Sequence, residues 1–225
     1  MRRKALLLLV CALLIAAASV FGTLAYLTDD DSVQNTFTVG SVALQLDEAD
    51  VNPDGSYVTD HDSRVKENEY HLLPGHTYIK DPTVTVVAKS EASYVRMLVT
   101  VNKINQLKRA LPNSGETAKY YAADDTFLLQ MLCGGWDPAT WVYESYTQSA
   151  DGTTGTYEFR YKDVVEKSDS NTVLPDLFTT ITVPGEIDNT HLAYLKEVQI
   201  NVAAHAIQAD GFENNVDGAW AAFKP

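Results

Sequence analysis

Short segments in which apolar and polar residues alternate, separated by turn residues, constrain the fold of this chain most strongly. The clearest segment is 94–101, where Val95, Met97, Val99 and Val101 point to one side. Such alternation is typical of a β-strand, because successive side chains of a strand point to opposite faces. The opposite face of this segment is also partly apolar, which predicts a central strand covered on both sides.

Similar segments recur along the chain. We predict further strands at 42–46, 78–86, 141–146, 156–161, 179–183 and 198–208. The pair Asp151-Gly152 favours a tight hairpin turn between two of them, and Pro-Gly pairs mark further turns. About eight short strands with turns between them predict an all-β fold, specifically a jelly-roll-like β-sandwich.

Two stretches carry a helical spacing instead. Apolar residues three and four positions apart in 102–111 predict a short helix, and 126–133 is compatible with either a short helix or a buried strand. Together they predict a partly helical insertion at about 102–133. A terminal helix is predicted at 216–223, where apolar residues again recur at helical spacing.

The N-terminal 25 residues have the organisation of an export signal. Three basic residues precede a 17-residue apolar run, which ends at Thr23-Leu24-Ala25. Small residues at the −3 and −1 positions suit a signal peptidase, so we predict a signal helix at 1–25 and cleavage between Ala25 and Tyr26. An uncleaved membrane anchor is the alternative, although a spanning helix needs roughly 20 apolar residues.

Removal of residues 1–25 would leave 200 residues, which suffice for one sizeable core. We predict an extended N-terminal strand at 26–40 and a single β-sandwich domain at 41–225. The three basic residues would be lost with the signal, changing the formal net charge from −13 to −16. So acidic a chain is repelled by phosphates, which argues against nucleic acid partners.

Cys133 is the only cysteine after residue 25, so the processed chain has no internal disulfide. Its apolar neighbours favour a buried side chain over a nucleophile. Several aromatic residues cluster in the middle of the chain, and their pattern favours strand faces and core over a ligand or adhesion surface. These aromatics are Tyr120, Tyr121, Trp136, Trp141, Tyr143 and Tyr146.

Two weak metal-binding patterns lie between residues 50 and 76. Asp50, Asn52 and Asp54 followed by Gly55 match the first half of a calcium loop, but the same residues form a favourable type I turn. A transition-metal site is a second possibility, although solvated surface histidines are the commoner explanation. Its candidate ligands are Asp60, His61, Asp62, His71 and His76.

Motifs of the main enzyme classes are absent from the sequence. It contains no His-Glu-x-x-His, Gly-x-Ser-x-Gly, phosphate-loop or dinucleotide-binding pattern. We therefore assign no catalytic residues and expect no obligatory cofactor. The sequence leaves open whether the chain binds calcium or zinc.

The N-terminal junction resembles that of a known family. Gly22-Thr23-Leu24-Ala25-Tyr26-Leu27-Thr28-Asp29, followed by Asn35-Thr36-Phe37-Thr38-Val39-Gly40, is similar to the signal and first strand of the TasA/camelysin family. The likeness continues in Leu73-Pro74-Gly75, in 80–84, in 92–96 and in 206–212, whereas the middle of the chain matches nothing comparable.

The resemblance implies a secreted jelly-roll protein of a Gram-positive-type cell, processed by a SipW-like signal peptidase. In fibre-forming members the mature N-terminus inserts as a donor strand into the next subunit. Here Val33, Phe37 and Val39 would fill the neighbour's groove, giving an extracellular fibre of a biofilm matrix. The partners would be further copies of the chain and, in addition, a paralogous matrix protein.

Two other functions remain open from the sequence. Camelysin is described as a metallo-endopeptidase, so the resemblance also raises a secreted metalloprotease. Its candidate site would be the cluster of Asp60, His61, Asp62, His71 and His76. A monomeric adhesin or ligand-binding sandwich that uses the aromatic residues is the third possibility.

Overall fold

A computed structural model describes residues 41–60, 62–111 and 131–224. The strands are Leu44–Ala49 (β1), Arg64–Val65 (β2), Thr77–Ile79 (β3), Thr83–Val86 (β4), Ser93–Val101 (β5), Trp141–Gln148 (β6), Gly155–Tyr161 (β7), Thr172–Val173 (β8), Thr180–Thr182 (β9) and Ile200–Gln208 (β10). The helices are Ile104–Ala110 (α1), Asn189–Leu192 (α2) and Val216–Ala222 (α3), with a 3₁₀ turn at Ala193–Leu195. These residues belong to one compact unit, Gly40–Pro225.

The described strands form three antiparallel sheets, so the fold is all-β. One four-stranded sheet has the order β2-β1-β4-β8, and the other has the order β10-β5-β7-β6. β3 and β9 form a separate two-stranded sheet. The longest ladder joins β5 to β10 and runs from Val101 opposite Ile200 to Ser93 opposite Gln208.

β5 is the central strand that its alternation predicts. It lies between β10 and β7, and its residues Val95, Met97, Val99 and Val101 are buried. Val84 and Val86 of β4 belong to the same apolar cluster, as do Tyr157 and Phe159 of β7. Both four-stranded sheets therefore contribute to one core.

The predicted hairpin at Asp151-Gly152 joins β6 to β7. Gly152 has a φ of +70°, a left-handed conformation that glycine adopts without strain. The Asp151 carboxylate accepts hydrogen bonds from the Ser149 hydroxyl at 2.6 Å and from the Thr153 backbone N–H at 3.0 Å. These two bonds lower the pKa of Asp151 to about 2, so its charge fixes the turn throughout the neutral range.

The predicted C-terminal helix, α3, packs on the second sheet through aromatic side chains. The Arg96 guanidinium of β5 lies 4.4 Å from the Trp220 ring centroid and 5.0 Å from that of Phe223. Contacts of this kind contribute roughly 0.5–2 kcal/mol each. His205 of β10 stacks on Phe223 and accepts a hydrogen bond from Arg96 Nε at 3.3 Å, so its ring takes part in the packing of α3 on the sheet.

Most predicted elements are confirmed, but the strand predicted at 78–86 is divided into β3 and β4, which belong to different sheets. Two short strands were missed. β2 and β8 each have two residues, too few to show an alternation in the sequence. The predicted helix at 102–111 is α1. Met131 and Leu132 are helical, as one of the two interpretations of 126–133 requires, while 112–130 lies outside the described residues.

In the described ranges, no helix is both long enough and apolar enough to cross a membrane.

Candidate binding groove

One edge of β10 has main-chain groups that point away from its partner strand. Within the described chain β10 pairs only with β5. The N–H of Asn102 donates to the Gln199 carbonyl at 3.1 Å, and the N–H of Ala209 donates to the Ala92 carbonyl at 2.7 Å. In an antiparallel ladder such bonds alternate, so odd-numbered residues of β10 face β5 and even-numbered ones face outward. The outward groups belong to Ile200, Val202, Ala204 and Ala206.

β1 presents a second open edge. The Val87 N–H donates to the Ala43 carbonyl at 2.9 Å, which directs the main-chain groups of Leu44 and Leu46 away from β4. β2 covers this side of β1 only at Glu48 and Ala49. In the part of the chain that the structure describes, the main-chain groups of Leu44 and Leu46 therefore have no strand beside them.

A groove of about 1250 Å³ lies between these two edges. One wall contains Leu44–Glu48 of β1, and the opposite wall contains Val198–Val202 at the start of β10. The remaining apolar lining comes from Leu107, Met131, Leu132, Ile181, Ile187 and Leu195. An extended segment in this groove would meet unpaired N–H and C=O groups on both sides and apolar side chains below.

The core is incomplete at the groove. Leu44, Leu46, Ile200 and Val202 pack against the core cluster but are only half-buried, whereas the equivalent inward residues of β5 are buried. A segment that covers such side chains gains about 25 cal/mol of binding free energy per Å² of apolar area removed from water. The groove therefore offers apolar area for burial as well as main-chain hydrogen bonds.

An ion-pair network closes the β2 end of the groove. Arg64 Nε lies 2.8 Å from Asp47 Oδ1, and its Nη1 lies 2.7 Å from Asp81 Oδ2. This arrangement ties β2 to β1 and to the residues that precede β4. Main-chain pairing between β1 and β2 involves only two residue pairs, so these side-chain contacts hold β2 in place.

Beside this network lies a polar cluster in which Lys80 and Glu48 are buried and Asn68 is half-buried. Lys80 Nζ contacts Glu48 Oε2, and their side chains are 8% and 9% exposed. Asn68 Nδ2 donates to the other oxygen of the same carboxylate, Glu48 Oε1, at 2.9 Å. The Tyr70 ring lies against Lys80, and burial together with the nearby Glu48 and Asp81 carboxylates raises the pKa of Tyr70. Tyr70 is therefore a neutral donor, and its hydroxyl donates to the Ile79 carbonyl at 2.9 Å.

The segment that enters β1 continues along the line of that strand. The Ser41 carbonyl accepts from the Glu91 N–H at 3.1 Å, and the Ala43 N–H donates to the Ser90 hydroxyl at 3.1 Å. These bonds lie on the β4 side, opposite to the open edge. Residues 41–43 are therefore held on the side of β1 away from its open edge.

The predicted calcium loop is a hydrogen-bonded turn. The Gly55 N–H donates to the Asn52 carbonyl at 2.8 Å, and Asp54 Oδ1 accepts from the Ser56 hydroxyl at 2.6 Å. The Ser56 hydroxyl and N–H lower the pKa of Asp54. Asp50 points elsewhere, since its Oδ2 accepts from the Ser63 hydroxyl at 3.4 Å. These hydrogen bonds confirm the turn that the sequence predicts at residues 52–55.

The other predicted ligands are not brought together. Asp60 accepts from the Asp62 N–H at 3.2 Å in a local turn, and His61 lies outside the described residues. His76 stacks beside Tyr78, and the His71 carbonyl accepts from the Tyr78 hydroxyl at 2.8 Å. Among residues 41–60, 62–111 and 131–224, no three His, Cys, Asp or Glu side chains are placed to hold one metal ion.

The remaining predictions divide into confirmed and untested ones. Cys133 is buried, as its neighbours predict, and burial raises the pKa of its thiol. Trp141 and Tyr157 are fully buried, and Trp136 packs edge-on against Phe159, so these aromatics belong to the core. The predicted cleavage and assembly residues lie outside the described part of the chain; they are Ala25, Tyr26, Val33, Phe37 and Val39.

Sequence reasoning missed both the groove and the cluster of Lys80, Glu48 and Asn68. The sequence predicts β1 and β10 as strands. It does not show which strands lie beside them in a sheet, and that order is what leaves their edges open. As single residues, Lys80 and Glu48 are typical of a solvated surface, so the sequence gave no sign of a cluster between them.

Comparisons of the chain with protein-family models, with characterised proteins and with solved structures gave no match.

Proposed function

We propose that this protein is a secreted structural subunit of an extracellular matrix that assembles into fibres through its N-terminal segment. The observation that carries the proposal is the groove between two open strand edges, with half-buried apolar residues along both. An exported protein with two adjacent open edges is prone to uncontrolled pairing unless a specific strand covers them. Residues 26–39 supply such a strand in their alternation of Val33, Phe37 and Val39.

A second copy is the occupant that we favour. Ser41 and Ala43 are bonded on the β4 side of β1, away from its open edge, and the alternating residues 26–39 directly precede them in the sequence. Fourteen residues in extended form span roughly 46 Å, which is enough to run beside the nine residues of β10, about 30 Å long. Insertion into a neighbour is a head-to-tail contact, which propagates as a filament when it does not close into a ring.

The proposal includes the finer features of the fold and of export. We infer that the two four-stranded sheets, which share one core, form a jelly-roll-like sandwich that the inserted strand completes. Cleavage after Ala25 by a SipW-like peptidase would release the chain and free residues 26–39 in the same step. The product would lie in the matrix or at the surface of a Gram-positive-type cell, alone or with a paralogous matrix protein.

The test compares two purified chains, one beginning at Tyr26 and one beginning at Gly40. The longer chain should form filaments visible by electron microscopy and sedimentation, and the shorter chain should stay monomeric with an unchanged circular dichroism spectrum. Phe37→Asp should reduce assembly far more than it lowers the unfolding temperature. If both chains remain monomeric, or both assemble equally well, the proposal fails.

A further inference from the structure

We propose that the side chains of Lys80 and Asn68 join in an intramolecular isopeptide bond, with Glu48 transferring the protons. The three groups meet at one end of the groove, where Lys80 and Glu48 are buried and Asn68 is half-buried. Glu48 holds the Lys80 amine on one carboxylate oxygen and the Asn68 amide nitrogen on the other. The nucleophile and the leaving group of an amide exchange are thus bound to the same proton carrier.

The carbonyl of Asn68 is polarised for attack. The Val51 backbone N–H donates to Asn68 Oδ1 at 3.1 Å. As Lys80 Nζ adds to Asn68 Cγ, negative charge develops on this oxygen, where a positioned N–H stabilises it. The Asn68 amide nitrogen also donates to the Ala49 carbonyl at 2.9 Å, which fixes the orientation of the amide.

The amine reacts in its neutral form, and Glu48 is placed to take its proton, since Lys80 Nζ contacts Glu48 Oε2. Transfer of that proton gives a neutral amine and a neutral carboxylic acid. The side chains of Lys80 and Glu48 are at most 9% exposed, and the Tyr70 ring centroid lies 5.9 Å from Lys80 Nζ, so the amine and its proton acceptor are shielded from water. Asn68 is half-buried.

The step balances without an outside reagent. The neutral Lys80 amine attacks Asn68 Cγ, and the Cγ–Nδ2 bond breaks after Glu48 delivers a proton to the leaving nitrogen. Glu48 regains a proton from the new secondary amide nitrogen as the tetrahedral intermediate collapses. One C–N bond forms, one C–N bond breaks, and ammonia departs, which takes up the remaining proton as ammonium in water.

The bond would tie together two segments of the groove wall. Asn68 follows β2, and Lys80 precedes β4, so the link closes the loop of residues 69–79 beside the open edge of β1. An isopeptide bond at this position holds β2 and the Arg64 ion pairs in place when a strand occupies the groove. Formation of the bond does not depend on whether the groove binds a strand.

Mass spectrometry of the purified full chain under denaturing conditions tests the proposal. The intact mass should lie about 17 Da below the sequence mass, the loss of one ammonia. Trypsin should cut after Lys66 but not after Lys80, and chymotrypsin cleavage after Tyr70 and Leu72 should leave two peptides joined through Lys80 and Asn68. An unmodified intact mass with free Lys80 overturns the proposal.

Variants separate this bond from other reactions of asparagine. Lys80→Arg and Glu48→Gln should restore the full mass, since the first removes the nucleophile and the second the proton carrier. Asn68→Asp should still cross-link and lose water, about 18 Da. Asn52→Asp, in the neighbouring turn, should leave the ammonia loss unchanged. A cyclic imide at Asn68 would show the same mass loss with Lys80 open to trypsin, and that result contradicts the proposal.

Discussion

Proline substitution at Val202 tests the open edge of β10 directly. The N–H of Val202 faces the groove, so Val202→Pro removes a donor for an incoming strand but no hydrogen bond to β5. Proline is tolerated on edge strands for this reason. The neighbouring Asn201 has the opposite orientation: its N–H faces Thr100, so Asn201→Pro breaks the β5–β10 ladder.

The size of the effect follows from the lost hydrogen bond. One backbone hydrogen bond contributes about 0.5–1.5 kcal/mol net, and the carbonyl of the inserted strand that is left buried without a donor costs about 1–3 kcal/mol. A total of about 1.5–4.5 kcal/mol corresponds to a roughly 10- to 1,600-fold rise in the concentration needed for assembly.

The assay is the critical concentration for filament formation, measured by sedimentation of chains that begin at Tyr26. Val202→Ala is the matched control, because it shortens the side chain and keeps the N–H. Val202→Pro should raise the critical concentration well above that of Val202→Ala, while both variants still unfold cooperatively. Asn201→Pro should instead lower the unfolding temperature. Equal critical concentrations for Val202→Pro and Val202→Ala would refute the role of this edge.

Two further predictions concern the fold. His205 has its pKa lowered by burial and by Arg96, so the folded state binds fewer protons than the unfolded state, and stability should fall as pH drops below about 6.5. His205→Gln should flatten that part of the stability profile in urea titrations from pH 5 to 7, and an unchanged slope would count against the assignment. Trp141→Ala should destabilise by about 3–5 kcal/mol, because Trp141 is fully buried and its indole N–H donates to the Pro175 carbonyl at 3.0 Å. Val142→Ala on the exposed face should change stability by less than about 0.5 kcal/mol, and similar losses for both would contradict the packing described.

The strands that sequence reasoning located share a strong local signal. β5 and β7 alternate over most of their length, and the aromatic face of β7 is buried as its pattern predicts. The turn at Asp151-Gly152 was predictable for the same reason, since its conformation depends on residues within the turn.

The features that escaped prediction depend on contacts between distant parts of the chain. β2 pairs with β1 through only two residue pairs, and Arg64 holds it by reaching Asp47 and Asp81, each 17 positions away. The groove arises because β10 lies at a sheet edge and β2 pairs with β1 at only two residues, although β1 and β10 lie at opposite ends of the domain sequence. No local pattern in either strand encodes that position.

The buried polar cluster was invisible for a related reason. Lys80 and Glu48 are 32 positions apart, and as single residues each is typical of a solvated surface. Their burial follows from the packing of β1 against the residues before β4. In contrast, the Asp50–Gly55 segment carried a local turn pattern strong enough to weigh against a calcium site, and the structure shows the turn.

Disulfide trapping between two different chains tests the central claim most directly. One chain carries Asn201→Cys on the exposed face of β10, and the other carries a cysteine at Gln34, Thr36 or Thr38, which alternate with Val33, Phe37 and Val39. The native Cys133 is buried and stays out of the reaction. Mixing the two chains under oxidising conditions should give a covalent heterodimer at one of the three positions. If the disulfide forms only when both cysteines are on the same chain, whatever the protein concentration, the segment occupies its own groove and the account of assembly is wrong.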